Sequence, residues 1–397
     1  MKRLSQLDGM RGLAVAAVVL HHLSNILNLD LSNRVNIAVL DFFHLGWLGV
    51  DIFFVLSGFL ITGIILKERQ QPCFWRNFYL RRAYRILPIF TVVFAVTIFA
   101  VHYFSPQTRI TSGYVLAVIF FLANWTVFSP HHLPILQHLW SLAVEEQFYF
   151  LWPQVAKRWT KPAVLRLAVF MALMSECLRL VFAMQHRGSG YVLRMTPTRL
   201  DGISVGAALA VSLTMPATRQ FLFRWWRSIA ISAAIAFLVA CTIMHGRLVD
   251  DNNWGQVLGI PPVIVLTAMM IYGASESLLS SGIAYVLNHP ILTYLGRRSY
   301  ALYLIHEPIR YSVQQSRMQG RLAALPGGVA MNWLFFGCVL LVSLLLAELS
   351  WRLIESPAQN LRRRQMKSNE ESARENPSEE KAIAQLATGG TLHPPNS

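Results

Sequence analysis

Long apolar segments recur along most of the chain, separated by short polar loops. Most approach the roughly 20 residues that an α-helix needs to cross the hydrocarbon core of a bilayer. Of the 397 residues, 54% are hydrophobic and only 14% are charged, against roughly 25% charged in soluble domains. A soluble globular fold is therefore nearly excluded, and the sequence predicts a multi-span membrane protein.

Eleven apolar segments can be marked, at residues 10–28, 46–66, 86–104, 114–128, 139–156, 163–184, 200–214, 228–245, 256–273, 299–313 and 329–350. If all eleven crossed, the basic cluster Lys157, Arg158, Lys161 and Arg166 would lie outside the cell, against the positive-inside rule. A re-entrant or partial helix at 114–128 removes this conflict. We therefore predict an all-α, polytopic bundle of about ten transmembrane helices plus this partial helix, with both termini in the cytoplasm.

The charge balance and the cysteines exclude several other classes of protein. The chain carries 35 Lys and Arg against 20 Asp and Glu, but the excess lies mostly in short loops, where it orients the chain in the bilayer. No nucleic acid partner is expected. The four cysteines are far apart and show no metal-ligand spacing, so we expect neither a disulfide framework nor a metal site.

The composition changes at the C-terminal end. From Arg352 onward the chain has no aromatic residue and is rich in Glu, Arg, Ser, Asn and Pro. Such a segment cannot bury enough apolar surface to form a core. We predict a membrane domain at 1–355 and a disordered cytoplasmic tail at 356–397.

Ionisable residues inside spans are costly to insert, so each suggests a function. Arg11 and His22 are eleven residues apart, which places them on one face of the first helix and roughly 16 Å from each other. A histidine is suited to accept a hydroxyl proton near neutral pH. The alternative is that His21 or His22 only forms a hydrogen bond between helices.

Further polar residues occur at the ends of other spans. Asp51 could pair with Arg11 or a histidine, and Ser57 and Gly58 are small enough for close helix packing. Two adjacent carboxylates, Glu145 and Glu146, begin an otherwise apolar helix, where they either stabilise the helix dipole or form a site with His138. The remaining candidates are the ion pair Glu176 and Arg179, the close pair Arg199 and Asp201, and the neighbours His306 and Glu307. His306 and Glu307 either line a site or lie at its wet rim.

The loop after the second span carries six basic residues and one acidic residue. Arg81, Arg82 and Arg85 have a spacing that allows them to converge on one group, and guanidinium forks suit phosphates. Contact with lipid headgroups and control of topology are the competing interpretations.

Several motifs, in order, resemble those of the bacterial acyltransferase-3 family. They are LDGMRGL at 7–13 with His22 after it, GVDIFFVLSGFLIT at 49–62, FYLRRAYRILP at 78–88, HLWSLAVEEQFYFLWP at 138–153, residues 199–206, and LGRRSYALYLIHEP at 295–308. The resemblance implies transfer of an acyl group, with acetyl favoured, from acyl-CoA to a hydroxyl of a surface glycan such as lipopolysaccharide or exopolysaccharide. It also implies essential roles for Arg11, His22, Arg81, Arg82, and Glu145 or Glu146.

The expected site has three parts. His22, Arg11, Glu145 and Glu146 are the expected catalytic residues, and Arg81, Arg82 and Arg85 are expected to bind the phosphates of acyl-CoA. Residues expected around the substrate are Asp51, Ser57, Arg199, Asp201 and His306. The alternative is a transporter or flippase, since charges inside the membrane also mark transport pathways. The expected location is the bacterial inner membrane; the oligomeric state stays open.

Overall fold

A computed structural model describes residues 5–27, 29, 32–128, 132–186, 194–244, 252–318 and 329–375. Within these residues every regular element is a helix. The α-helices are α1 (Ser5–Ser24), α2 (Arg34–His44), α3 (Gly49–Glu68), α4 (Phe74–Phe104), α5 (Ser112–Ile119), α6 (Leu139–Arg158), α7 (Lys161–Met184), α8 (Thr196–Ser212), α9 (Pro216–Ile243), α10 (Asn253–Ser275), α11 (Ser281–Leu287), α12 (Pro290–Met318), α13 (Val329–Ser350) and α14 (Ser356–Glu375).

Six helical stretches of the described chain are long and apolar enough to cross a membrane. They are Arg34–Glu68, Phe74–Phe104, Lys161–Met184, Pro216–Ile243, Asn253–Ser275 and Val329–Gln365. Several present large apolar side chains on the protein surface, such as Phe99, Leu173 and Leu238, which are all more than 60% exposed. Lipid is the natural neighbour of such surfaces. The all-helical membrane fold predicted from the sequence is therefore confirmed, while the count of ten spans stays a prediction.

Four more helices, α1, α6, α8 and α12, coincide with the other four predicted spans. They carry the polar residues singled out above, which lower their apolarity. α1 packs against α12 and α3, while α8 packs between α3 and α7. These helices form the interior of the bundle, where polar side chains find partners away from lipid.

The fourth apolar segment contains no long helix. α5 has eight residues, which is about 12 Å of helix and too short to cross a bilayer. A 3₁₀ helix, Ala123–Phe128, follows it. This short element agrees with the predicted partial helix.

Glycines allow the interior helices to approach closely. A Cβ at Gly12 would overlap the carbonyl oxygen of Leu292, and one at Gly296 would overlap the carbonyl oxygen of Asp8. Between α3 and α8, a Cβ at Gly58 would overlap the carbonyl oxygen of Ile203. Small residues at such crossings replace the hydrophobic driving force that is missing in lipid, and the packing role predicted for Gly58 is confirmed.

The end of the chain differs from the predicted disordered tail. A π-helical turn, Trp351–Glu355, joins α13 to α14, so the chain remains helical through Glu375. α14 packs against α4, and the Tyr84 hydroxyl donates a hydrogen bond to Gln365 Oε1 over 2.8 Å. Contact with α4 supplies the stabilisation that the composition of α14 lacks. Residues 376–397 lie outside the described residues.

Candidate active site

His22 of α1 and His306 of α12 form a contact between the two central helices. The Nδ1 atom of His22 lies 2.8 Å from Nε2 of His306, and the two rings are nearly parallel, with an angle of 11° between their planes and centroids 5.1 Å apart. His306 is fully buried, whereas the side chain of His22 keeps a quarter of its surface exposed. His306 is thus part of the site and not of a wet rim.

Hydrogen bonding determines the tautomers of this pair. The Nδ1 atom of His306 lies 3.0 Å from the Leu302 carbonyl oxygen, which can only accept, so Nδ1 of His306 carries a proton. In the neutral ring Nε2 of His306 is then an acceptor, and Nδ1–H of His22 donates to it. The Nε2 atom of neutral His22 is therefore left with a lone pair and can accept a proton.

A buried acid group lies beside the pair. Glu307 Oε2 is 3.7 Å from Nδ1 of His22, and the carboxylate of Glu307 accepts two hydrogen bonds, of 2.8 and 2.6 Å, from Arg310. Arg310 also donates to Gln314. The Glu307 carboxylate is thus shared between His22 and Arg310.

His22, His306 and Glu307 have the residue types of a metal site, and one ligand atom from each lies within 4.8 Å of the others. Two nitrogens on one tetrahedral zinc would be about 3.3 Å apart, farther than the 2.8 Å between the two rings. The Glu307 carboxylate is also engaged by Arg310. This spacing favours a hydrogen bond between the two histidines.

An inner cavity lies between α1, α3, α4, α6 and α12. The polar or charged residues of its lining include Arg11, Ser57, Arg82, Arg85, Glu145, Glu146 and Tyr303. Glu145 Oε1 accepts hydrogen bonds from the hydroxyls of Ser57 and Tyr149. Ser57 therefore has a polar role that its small size did not indicate.

Tyr303 connects the inner cavity to the histidines. Its hydroxyl donates to the His138 carbonyl oxygen over 2.7 Å and also contacts the Ser141 hydroxyl. Its ring centroid lies 5.8 Å from that of His306 and 5.5 Å from that of His138. The Tyr303 ring therefore contacts both the inner cavity and His306 of the His22–His306 pair.

A second cavity adjoins the first. We call it the basic cavity because Arg11, Lys67, Arg85, Arg297, Arg362 and Arg363 line it. Arg11, Arg85, Ser299 and Tyr300 line both cavities. Arg11 also lies 3.8 Å from Asp8. The two cavities therefore meet at Arg11 and Arg85.

The three arginines predicted to bind one group are separated by the fold. Arg81 pairs with Glu68, whereas Arg82 lies over the ring of Tyr149, with 4.9 Å to the ring centroid. Arg82 and Arg85 share the inner cavity, but Arg81 does not line it. Arg81 is thus separated from the inner cavity and pairs with Glu68, a residue of the preceding helix, while the phosphate-binding role of the three arginines stays a prediction.

The predicted partner of Asp51 is also wrong. Asp51 pairs with Arg199 over 2.8 Å, and both side chains are fully buried between α3 and α8. Arg199 lies over the rings of Phe54 and Trp140. Asp51 needs neither Arg11 nor a histidine as its counter-ion, because the packing of α8 on α3 brings Arg199 to it.

Asp201 belongs to a neighbouring ion pair. Arg179 contacts both Asp201, over 2.6 Å, and Glu176. The predicted pair of Glu176 and Arg179 is confirmed, with Asp201 as a third member. Asp51, Arg199 and Asp201 line neither of the two cavities.

The sequence also matches known proteins. The model of the acyltransferase domain family matches residues 4–352. The chain belongs to this acyltransferase family. The peptidoglycan O-acetyltransferase of Listeria monocytogenes is 29% identical over 325 residues, which are 78% of this chain and 49% of that protein. An O-acetyltransferase of Staphylococcus aureus is 29% identical over 369 residues, 88% of this chain and 56% of that protein.

This acyltransferase chain spans about half the length of these relatives. No solved structure matches it significantly. The match covers every helix from α1 to α13, and so includes both members of the His22–His306 pair and the residues that line the inner cavity.

Sequence reasoning missed Tyr303 and Arg310. Both lie on α12 with His306, at spacings of three and four residues that place them on one helix face. This periodicity was the available signal. Arg362 and Arg363 were missed because they were assigned to a disordered tail.

Proposed function

We propose that the chain is a membrane O-acyltransferase that moves an acetyl group from acyl-CoA to a hydroxyl of a cell-surface glycan. The observation that carries this proposal is the juxtaposition of three parts: the basic cavity meets the inner cavity at Arg11 and Arg85, and Tyr303, which lines the inner cavity, contacts His306 of the His22–His306 pair. Cations at one end suit phosphates, and a neutral imidazole at the other end suits a hydroxyl. Both relatives are named O-acetyltransferases, which supports acetyl as the acyl group.

His22 acts as the general base. Its Nε2 atom takes the proton of the acceptor hydroxyl while the hydroxyl oxygen attacks the thioester carbonyl carbon. The tetrahedral intermediate collapses with breakage of the carbon–sulfur bond, and the proton passes from His22 to the departing thiolate. The products are an acetyl ester and free CoA thiol. His306 holds the His22 tautomer, and Glu307 stabilises the protonated ring.

Charged groups in the inner cavity guide the acyl donor. Arg11 and Arg85, at the junction of the two cavities, interact with the donor as it enters. Glu145 and Glu146 balance the positive charge of Arg82 and Arg85 within the same wall. Such a wall has little net charge, which suits passage of the uncharged pantetheine arm and thioester.

The proposed setting is the bacterial cytoplasmic membrane, with both termini and the basic cavity on the cytoplasmic side. Residues 1–355 form the transmembrane acyltransferase domain. The basic cavity then faces the compartment that contains acyl-CoA. Peptidoglycan, lipopolysaccharide and exopolysaccharide are the candidate acceptors, and the names of the relatives favour peptidoglycan.

Purified protein in lipid nanodiscs, given isotope-labelled acetyl-CoA and each acceptor in turn, tests this function. We expect release of CoA thiol together with labelled ester on one glycan, detected by mass spectrometry, and loss of both in His22→Gln. A protein that moves glycolipid across vesicles but releases no thiol would be a flippase instead. Thiol release without labelled glycan would overturn the proposed acceptor class.

A further inference from the structure

The C-terminal helix α14 contributes two arginines to the basic cavity. Arg362 and Arg363 line it together with residues of α1, α3, α4 and α12. The acyltransferase match ends at residue 352, so both arginines lie beyond the matched domain. α14 is held against α4 by the Tyr84–Gln365 hydrogen bond.

The three carboxylates in the basic cavity already have partners. Asp8 lies 3.8 Å from Arg11, and Glu68 pairs with Arg81. Glu355 accepts a hydrogen bond of 3.2 Å from the Ser350 hydroxyl. Asp8 and Glu68 are therefore neutralised by other arginines, which leaves one of the three carboxylates, Glu355, to balance the remaining cations.

Five cations of the basic cavity make no salt bridge with any described carboxylate: Lys67, Arg85, Arg297, Arg362 and Arg363. They come from α3, α4, α12 and α14, so four separate helices bring like charges to one concave surface. Clustered like charges repel, and a concave surface with an excess of positive charge concentrates ligands of the opposite sign. The ligand that fits this surface carries several negative charges.

We propose that Arg362 and Arg363 bind phosphate groups of the acyl-CoA donor, so that α14 completes the donor site of the membrane domain. This inference rests on the proposed function and deepens it. Guanidinium groups form paired, charge-assisted hydrogen bonds with phosphate oxygens. The phosphates of lipid headgroups have the same chemistry, and the test below separates the two sources.

The test is CoA binding, measured by calorimetry on the full chain in phosphatidylcholine nanodiscs. We expect Arg362→Ala with Arg363→Ala to raise the Kd for CoA about tenfold or more, because two charge-assisted contacts are lost. Lysine at both positions keeps the charge but not the fork, and we expect an intermediate Kd. An unchanged Kd in the double alanine variant overturns the proposal.

Arg364→Ala is the matched control, because Arg364 is exposed on the same helix and does not line the cavity. We expect its Kd for CoA to equal that of the wild type. A loss of affinity equal to that of the double variant would mean that only the overall charge of α14 matters, against the proposal.

A second set of nanodiscs containing phosphatidylglycerol separates lipid binding from donor binding. If the double variant differs from the wild type only in these discs, the arginines serve lipid headgroups and the proposal fails. CoA binding needs no turnover, so it is also measured in His22→Gln. If the wild type and the double variant bind CoA with the same Kd, this inference alone is refuted. If the wild type does not bind CoA at all, the proposed function is refuted together with the inference.

Discussion

His22 Nδ1 and His306 Nε2 lie 2.8 Å apart although 284 residues separate them in the sequence. The close crossing of α1 and α12, made possible by Gly12 and Gly296, brings the two rings together. The Leu302 carbonyl then determines which nitrogen of each ring carries the proton. A general base on α1 thus depends on a helix near the other end of the chain.

We expect His22→Gln to lower the rate of acyl transfer about a hundredfold or more, because glutamine cannot take a proton. Glutamine keeps much of the volume and a hydrogen-bonding group, so the helix crossing should survive. His21→Gln is the control: His21 is buried against His22 and His44, and we expect milder loss. Thiol release from acetyl-CoA measures both. Full activity in well-folded His22→Gln would end the proposed mechanism.

His306 is predicted to act by positioning His22. In His306→Phe the acceptor for Nδ1–H of His22 is lost, and we expect kcat to fall about tenfold or more while KM for acetyl-CoA stays the same. His306→Gln offers a carbonyl acceptor and should recover part of kcat. Equal activity in the Phe and Gln variants would contradict a hydrogen-bonding role.

Arg82 and Arg81 should differ. Arg82 lines the inner cavity, while Arg81 is paired with Glu68 outside that cavity. We expect Arg82→Ala to lower kcat/KM for acetyl-CoA by about tenfold or more, and Arg81→Ala to have a smaller effect. Steady-state kinetics on the two purified variants compare them directly. A larger loss in Arg81→Ala would restore the sequence-based assignment of Arg81 to the donor.

The buried pair of Asp51 and Arg199 is predicted to hold α3 to α8. Asp51→Asn leaves the Arg199 charge without its counter-ion, and loss of one partner of a buried pair costs about 3–5 kcal/mol. The exposed pair of Arg219 and Glu276 is the control, with about 0–1 kcal/mol expected for Glu276→Gln. Thermal or SDS-induced unfolding gives both values. Equal destabilisation would show that burial does not decide the cost.

The topology can be tested with reporters fused after residues 112, 135 and 160. α5 is too short to cross, so the loop between α6 and α7 is expected in the cytoplasm, where its basic residues belong. The fusion after residue 160 should therefore report the cytoplasm. An external signal there would mean that the segment at 114–128 crosses the membrane.

Local patterns in the sequence determined the helical segments, their order and the short partial helix. Hydrophobic length is a property of a single segment, so a span can be recognised in the sequence without knowing which helices pack against it. The pair of Glu176 and Arg179 could be predicted for the same reason, because both residues lie on one helix. The packing role of Gly58 could be predicted because small residues allow close approach at any helix crossing.

Tertiary structure alone decided which helices meet. Asp51 required a cation, but only the packing of α8 on α3 selected Arg199 instead of Arg11. His22 carried a sequence signal, yet its partner His306 lies on a helix whose neighbours no local pattern specifies. Likewise, contact with α4 stabilises the polar segment 356–375 as helix α14 and places Arg362 in the basic cavity. Hydrophobic periodicity acts within one helix, whereas the choice of partner depends on packing between helices that are distant in the sequence.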